Sequence, residues 1–491
     1  MHPHHASRAV LVAALATLIG TAGAGAQDAR GEPAARRAAL ARAIGEGTLV
    51  VTAAAEPSIS RHGYVPDQNY LYLTGLREPG GALLMKIRGG VADTRLFVAD
   101  KEPAAEVWTG ARLGLEGART VTGLPTASSG GLAAAIRVAL GAADTLLFAN
   151  DSTSGAPAGR LIRELRAQSP GLQVRSAAGQ ILRLRAIKSD AELALIRKAA
   201  ELTVIGFDAA VSATAPGRYE FELEAALTGA YRRNGADGDA FPPIIASGDN
   251  ATTLHYESND SLLPPNGLVL MDVGASYHDY AADFTRTIPV NGKFDADQRA
   301  FYQIVLDAQL RAEAVAKTRV PFAAIADSAL HTLSLGLTKL GLIESPTATY
   351  DVAPGEYCPK APDGGCYQYF LYYMHSVGHG VGLDVHDPMR PTLDPGSVFM
   401  IEMAAYVRRR METLVPTTPR NTAFLSRTAA ARARFAGFGA RLEDEYFSTP
   451  NGPVLVTVWP RAIAEVEART MQLRASAPPR DEATLRKYPR R

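Results

Sequence analysis

Apolar residues recur along the chain in two different rhythms. Between about residues 36 and 185, short apolar runs (GTLVVTAA, GALLMKI, TRLFVAD, DTLLFAN) alternate with stretches of helical spacing such as 131–140. Short apolar runs bounded by turn signals read as strands, and their alternation with helices predicts an α/β domain. The rhythm changes at LRLRAIKSDAELALIRKAAELT. There Ser189 precedes Asp190, Ala191 and Glu192 at capping-box spacing, and Leu193, Ile196, Ala200 and Val204 follow a helical stripe. Helices over 220–234, 296–317 and 323–340 then mix with separated strands, without the alternation of a doubly wound sheet. The second domain is therefore expected to be α+β, with the boundary near residue 185.

Several acids interrupt runs that should be apolar. GLVLMDVGASYHDYAADFTRTIPV reads as a hairpin, with Asp272 in its first strand and Asp283 in its second, so that the two carboxylates can lie opposite one another. Glu402 breaks the apolar VFMIEMAAY, and Glu443 lies in GARLEDEYFS, with Glu445 expected to be peripheral. An isolated buried carboxylate costs about 20 kcal/mol in the idealised limit and several after relaxation, against a total fold stability of about 5 to 15. Arg286 and Arg441 neutralise two at most. Divalent cations neutralise such a group together, and shared carboxylates hold two of them about 3.5 to 4 Å apart.

HSVGHGVGLDVHD, residues 375–387, sets His375, His379 and His386 among Gly378, Gly380 and Gly382. An extended segment puts His375 and His379 on one face, while Gly380 and Gly382 permit a bend that returns His386. Four carboxylates and one imidazole make a mostly hard ligand set, suited to manganese, cobalt, iron or zinc in a dinuclear site.

Bulk composition narrows the alternatives. The 491 residues are 47% hydrophobic and 21% charged with a net charge of +1, which predicts two or three globular domains and no footprint for nucleic acid. Arg8, the apolar run 9–19 and the small residues up to Ala26 read as a cleavable signal peptide, so export to a periplasmic or secreted location is expected, with no stable membrane anchor. Cys358 and Cys366 flank PKAPDGG, and in an exported protein they suggest one loop-closing disulfide. The basic, Ala-rich stretch 407–437 reads as a solvated helix and loop.

LHYESND, MDVGASYHDYAADFTRTIPVNGKF, HSVGHGVGLDVHDP, DPGSVFMIE and GFGARLEDE, in this order, resemble the creatinase and methionine-aminopeptidase superfamily of pita-bread metallohydrolases, and within it the aminopeptidase P family. NYLYLTGLREPGGALLM and EVWTGARLG resemble that family's N-terminal domain. The expected organisation is a signal peptide (1–26), read from the N-terminal residues, an α/β N-terminal domain (27–185), an α+β catalytic domain (186–475), which the resemblance implies to be a pita-bread fold, and a tail (476–491). By similarity, Asp272, Asp283, His379, Glu402 and Glu443 are the ligands of two divalent metal ions, manganese first and cobalt or zinc as alternatives. Asp283 and Glu443 would bridge them, and a hydroxide shared by the metals would be the nucleophile. His255, His375 and His386 match the family's non-ligand active-site histidines, Glu402 doubles as proton shuttle, and Arg441 matches an arginine that orients carboxylates.

The implied substrate is a peptide with proline in second position, from which the first residue is released, and a homo-oligomer is implied by similarity alone. A prolidase-like dipeptidase shares every ligand and needs a cation for the dipeptide carboxylate, for which Arg390 is the candidate. A non-catalytic binding module of the same fold is expected to lose ligands, and creatine hydrolysis does not rely on them; here all five acids and imidazoles are present. Glu402-Met403-Ala404 stands where the family usually has Glu-Pro-Gly, and an insertion near 345–369 carries the cysteines.

Overall fold

The computed structural model describes residues 31–56, 64–141, 145–149, 156–353 and 355–475. The segments read as signal peptide and C-terminal tail lie outside them. The chain divides into two compact units between Leu184 and Arg185.

In the first unit the apolar runs become a six-stranded sheet of order β4-β3-β2-β1-β5-β6, built from Gly47–Thr52 (β1), Ala82–Arg88 (β2), Val91–Val98 (β3), Thr126–Ser128 (β4), Thr145–Phe148 (β5) and Gln173–Ser176 (β6). β1, β2 and β3 pair antiparallel, whereas β4, β5 and β6 each add in parallel. Helices Leu132–Leu140 and Pro157–Gln168 bury Ile136, Leu140, Leu161, Ile162 and Leu165 against Val50, Phe97, Leu146 and Phe148 of this sheet. This is the α/β arrangement that the alternation predicts.

The second unit opens with helix α1 (Asp190–Ala213), whose capping box is complete: Ser189 Oγ accepts from Glu192 N–H, and the Glu192 carboxylate accepts from Ser189 N–H. Its buried stripe runs through Ile196, Ala199, Ala200, Thr203, Phe207 and Ala210. After α2 (Glu220–Arg233) and β7 (Gly238–Asp239) come β8 (Ile244–Ser247), β9 (Leu268–Val273), β10 (Ala275–Tyr277), β11 (Tyr280–Ala281) and β12 (Phe284–Pro289). Helices α3 (Ala296–Val315) and α4 (Phe322–Lys339), the short β13 (Thr349–Tyr350) and β14 (Cys366–Tyr367), and then β15 (Val398–Tyr406), β16 (Gly439–Thr449) and β17 (Gly452–Leu455) complete it. The main sheet has the order β15-β16-β12-β9-β8 with β17 on β16, and all its pairs are antiparallel. α3 packs on β15 and β16, and α1 on β10 and β11.

The expected single hairpin around Asp272 and Asp283 is divided between two sheets. β9 and β12 pair in the main sheet, while β10 and β11 leave it to join β7. A tight turn with φ of 50° at His278 and 67° at Asp279 closes β10 onto β11, the left-handed geometry of a two-residue hairpin turn. Gly274 sits at the departure point, where a Cβ would come within 2.0 Å of the Ala282 carbonyl oxygen. Asp283 consequently lies one residue before β12 rather than within a strand. Thr285, not Asp283, is the residue opposite Asp272.

The basic stretch 407–437 resolves into paired charges. Arg409 meets Asp249, Arg420 meets Asp351 and Asp363, Arg432 meets Glu412, and Arg427 and Arg434 reach Glu344 and Asp297. Two of these partners lie in the insertion, where a disulfide joins Cys358 to Cys366 with Cα atoms 5.9 Å apart. No helix among the described residues is long and apolar enough to cross a membrane.

Candidate metal centre

Strand parity selects what the sheet presents to the site. β15 and β16 pair in the register Glu402↔Glu443 and Ala404↔Arg441, and the one β12 pair with β16 sets Thr285 opposite Glu443. Residues two apart share a face, so Glu402, Tyr406, Arg441, Glu443, Thr285 and Asp272 project to one side. The strand β15 runs without a break through Met403 and Ala404, both of which take part in the ladder.

The histidine segment flanks the free edge of β15. Met400 N–H donates to His379 O at 2.8 Å, Glu402 N–H to Val377 O at 2.7 Å, and Tyr406 N–H to Tyr372 O at 2.9 Å. Gly378 and Gly380 are required for approach rather than for unusual backbone angles. A Cβ at Gly378 would meet Met400 O at 2.0 Å, and one at Gly380 would meet Asp387 O at 2.5 Å.

These elements surround a cavity of about 400 Å³ lined by the nine residues that the resemblance assigns to the site: His255, Asp272, Asp283, His375, His379, His386, Glu402, Arg441 and Glu443. Ligand atoms of Asp283, His379 and Glu443 lie within 4.8 Å of one another. His379 Nε2 is 3.4 Å from Glu443 Oε1 and 3.6 Å from Asp283 Oδ2.

Donor by donor, this set fits cations. Arg441 holds Asp272 Oδ2, and Thr285 Oγ1 donates to Glu443 Oε2 at 2.8 Å. Three further oxygens, Asp272 Oδ1, Asp283 Oδ1 and Glu443 Oε1, are buried with no hydrogen-bond partner. Buried acceptors without partners are rare because each forfeits its hydration. The Gly380 carbonyl, 3.0 Å from His379 Nδ1, can only accept; Nδ1 therefore carries a proton, which leaves Nε2 as the nitrogen that faces the carboxylates and would offer its lone pair to a cation.

In the metal-free protein the proton affinities record the same crowding. Burial, then the charges of Glu443 and Asp272, holds the Asp283 carboxyl well above its usual range, and burial followed by Glu443 does the same to Glu402. Asp272 is raised by burial and Glu443 despite Arg441. Burial alone would lower His379, but the approach and charge of Glu443 outweigh it and raise the imidazole to about 9. Glu443 moves the opposite way, its burial outweighed by His379 and Arg441.

The other residues divide by role. Arg441 Nε donates to Tyr406 Oη at 2.8 Å and lies 3.3 Å from Glu402 Oε1, while Nη2 reaches the Leu254 carbonyl. Tyr406 Oη in turn lies 3.0 Å from His375 Nε2, and His375 Nδ1 lies 2.9 Å from the Ser376 carbonyl. Both ring nitrogens of His375 are thus engaged by the protein, and burial with Arg441 nearby lowers its pKa to about 3. His255 and His386 are exposed to the cavity instead. The loop bearing His255 is tethered by buried Glu220, whose carboxylate accepts from Ser247, Tyr256 and Ser261.

Three expectations change. Arg286 neutralises none of the site acids: it is fully buried on the opposite face and pairs with Asp444 at 2.5 Å. Glu445 is not peripheral but wholly buried, two residues along the site face from Glu443, with both oxygens lacking partners. Arg390 pairs with Asp394 at 3.2 Å and does not line the cavity. Tyr406, Thr285 and Asp387 are the site neighbours that the sequence reading passed over. The first two sit at even spacing from Glu402 and Asp283, the signal by which they could be found.

The comparisons with known proteins agree with this geometry. The model of metallopeptidase family M24 matches residues 194–450, and that of the aminopeptidase P N-terminal domain matches 34–138. The Xaa-Pro aminopeptidase of Haemophilus influenzae is 29% identical over 411 residues, covering 82% of this chain and 87% of the relative. Xaa-Pro aminopeptidase 3 of Mus musculus is 30% identical over 420 residues, covering 82% of this chain and 76% of the relative. The structure of Escherichia coli aminopeptidase P with the inhibitor Pro-Leu superposes with a TM-score of 0.75 at 26% identity, over 91% of this chain and 99% of that one. With more than half its length matched by the catalytic-domain model and its carboxylates and imidazole gathered as a metallopeptidase requires, the chain belongs to metallopeptidase family M24, as a pita-bread hydrolase behind an aminopeptidase P type N-terminal domain.

Proposed function

We propose that this protein is a metal-dependent Xaa-Pro aminopeptidase, releasing the first residue of peptides whose second residue is proline. The observation that carries this reading is the set of three partnerless buried carboxylate oxygens converging with His379 in an open cavity, in a chain whose relatives are Xaa-Pro aminopeptidases. Asp272, Asp283, His379, Glu402 and Glu443 would hold two divalent cations, manganese by preference. When bound, such cations acidify water and polarise the scissile carbonyl.

The chain's own groups supply the rest. Arg441 fixes the Asp272 and Glu402 carboxylates, and Thr285 fixes Glu443. Glu402 lines the cavity with Oε1 beside Arg441 and Oε2 3.5 Å from His375 Nδ1, placed to take a proton and pass it to the leaving proline nitrogen. That nitrogen belongs to a tertiary amide without N–H, so protonation is what makes it a leaving group. With His375 engaged at both nitrogens, the N–H that meets the developing oxyanion falls to His386 or His255.

The dipeptidase alternative needs a cation for the product carboxylate. Among the described residues lining the cavity the one guanidinium is Arg441, and it is committed to Asp272 and Tyr406. The signal-like start supports export, and the disulfide is compatible with an oxidising compartment. The test is cleavage of an Xaa-Pro-Yaa tripeptide and an Xaa-Pro dipeptide by folded protein supplied with Mn, Co or Zn. Release of the first residue from the tripeptide with a much slower dipeptide reaction is expected. Inactivity on the tripeptide with all three metals would refute the reading.

A further inference from the structure

The loop that returns His386 to the cavity is closed by charge. Asp387 N–H donates to Gly380 O at 2.9 Å, Gly382 N–H to Asp384 O at 3.0 Å, and Asp384 N–H to Asp387 Oδ1 at 3.3 Å. Two cations from the start of the catalytic unit grip the same loop. Lys188 Nζ lies 2.9 Å from Asp387 Oδ2, while Arg185 donates to Asp387 Oδ1 and, at 2.5 Å, to Asp384 Oδ2. The side chains of Arg185, Lys188 and Asp387 are 4%, 1% and 1% exposed, so this cluster is interior. Lys188 is itself fixed through its N–H to Gly396 O at 2.8 Å.

His386 makes no hydrogen bond to another described residue. Its ring rests against His379 with centroids 4.3 Å apart. Its position is therefore set by the backbone, and the next residue along that backbone is the clamped Asp387. We propose that Arg185 and Lys188 are positioning residues for His386, clamping Asp387 so that the imidazole stands over the cavity without either cation touching substrate or metal. This rests on the Xaa-Pro aminopeptidase reading and on His386 meeting the substrate. Buried ion pairs contribute little net stability compared with apolar packing of the same volume, and their best-attested use is to fix geometry. Arg185 Nη2 reaches a carboxylate oxygen of both Asp384 and Asp387, so one guanidinium nitrogen restrains both positions of the loop; a lysine there has a shorter reach and a differently placed head group and would have to recover both contacts from another position.

The test uses the full chain loaded with Mn and compares Arg185→Lys, Asp387→Asn and His386→Ala, with each of the first two also combined with His386→Ala. We expect Arg185→Lys and Asp387→Asn each to lower kcat on an Xaa-Pro-Yaa peptide by about tenfold to a hundredfold, the scale of a small misplacement, with KM within about threefold. Metal content should stay at the unsubstituted level. In the His386→Ala background the same substitutions should cost less than about twofold, because the residue through which they act is gone. Equal losses in both backgrounds, no loss from either substitution, or loss of metal from either would overturn the clamp while leaving His386 in its role. Full activity of His386→Ala would overturn the role of His386, and the clamp with it. If Asp387→Asn does not fold, the charge-preserving Arg185→Lys decides alone.

Discussion

Removing the metals should make the catalytic unit's stability depend on pH in a window where the loaded protein's does not. Without cations, Asp272 Oδ1 and Asp283 Oδ1 remain buried and partnerless, and Glu443 Oε1 has only His379 at 3.4 Å, beyond a regular hydrogen bond. At about 1 to 3 kcal/mol for each unsatisfied buried acceptor, the three together cost several kcal/mol, a large share of a typical stability of about 5 to 15. At about 2 to 4 °C per kcal/mol for domains of this general size, the unfolding midpoint should fall by roughly 5 to 35 °C on chelation.

The pH window follows from the signs of the shifts. His379 is raised to about 9, so in the metal-free fold it keeps a proton that the unfolded chain has released above about 6.5. Its contribution is complete below the unfolded value and is lost as pH rises through 9, a change on the order of 3 kcal/mol. Asp272, Asp283 and Glu402, raised mainly by burial, are shifted in the same sense: the fold binds their protons more tightly than the unfolded chain, so stability falls as pH rises through their folded values. His375, lowered to about 3, acts oppositely but only below about 6.5, where the unfolded imidazole begins to protonate. Between pH 6.5 and 9 the metal-free unit should therefore lose stability steadily. With cations held as proposed, His379 would be a neutral ligand and the acids ionised, so the profile should be nearly flat. Calorimetry of chelated and Mn-loaded protein across this window, with metal content measured on each sample, is the assay. Parallel profiles, or a chelated protein that gains stability toward pH 9, would refute the reasoning.

Other substitutions separate the roles of neighbouring residues. His379→Ala should lose metal and activity together, whereas His386→Ala should keep its metal while kcat/KM falls by about 10² to 10³, the scale of one lost oxyanion donor; elemental analysis of the two variants decides between them. Glu443→Gln should lose metal and at least about a hundredfold in activity. Full occupancy with near-normal turnover would contradict a bridging position, and exposed Glu257 is the appropriate control in place of buried Glu445. Mass spectrometry without reductant should find Cys358 linked to Cys366, and two free thiols in freshly isolated protein would reject the bridge.

Asp272 and Glu402 were legible because each interrupts an apolar run, where an acid needs a partner, whereas Glu443 stands among charged neighbours and was singled out together with the others. The α/β and α+β division was legible in the change of rhythm at Ser189, where the capping box marks the start of α1. Partner choice was not. Arg286 and Arg441 look alike in sequence, yet strand parity sends Arg286 to Asp444 and Arg441 to Asp272. Nor was the placement of Asp283, because the departure of β10 and β11 to another sheet offsets it by two residues from Asp272. Glu445 looked peripheral because its environment is made by long-range neighbours: burial raises its proton affinity, countered by the charges of Lys188 and Arg197. Local spacing carries no trace of such neighbours.

Consecutive residues of β16 show where a cation is needed and where it is not. Glu443 and Asp444 are equally hidden from solvent, at 1% and 0% exposure. Asp444 faces Arg286, whose remaining donors are taken up by the carbonyls of Thr285, Glu443, Trp459 and Pro460, so that face is closed by protein alone. Glu443 faces the cavity, where Thr285 satisfies one oxygen and the other meets only Asp283 and His379. Burial is the same on both faces, so burial cannot be what distinguishes a structural acid from a candidate ligand here. The distinction is supply of positive charge: one face holds an arginine for its carboxylate, and the other gathers four carboxylates around Arg441, which reaches Asp272 and Glu402, and the single imidazole of His379. Divalent cations supply that deficit from outside the chain, and the open cavity is what lets them, and then a peptide, reach it.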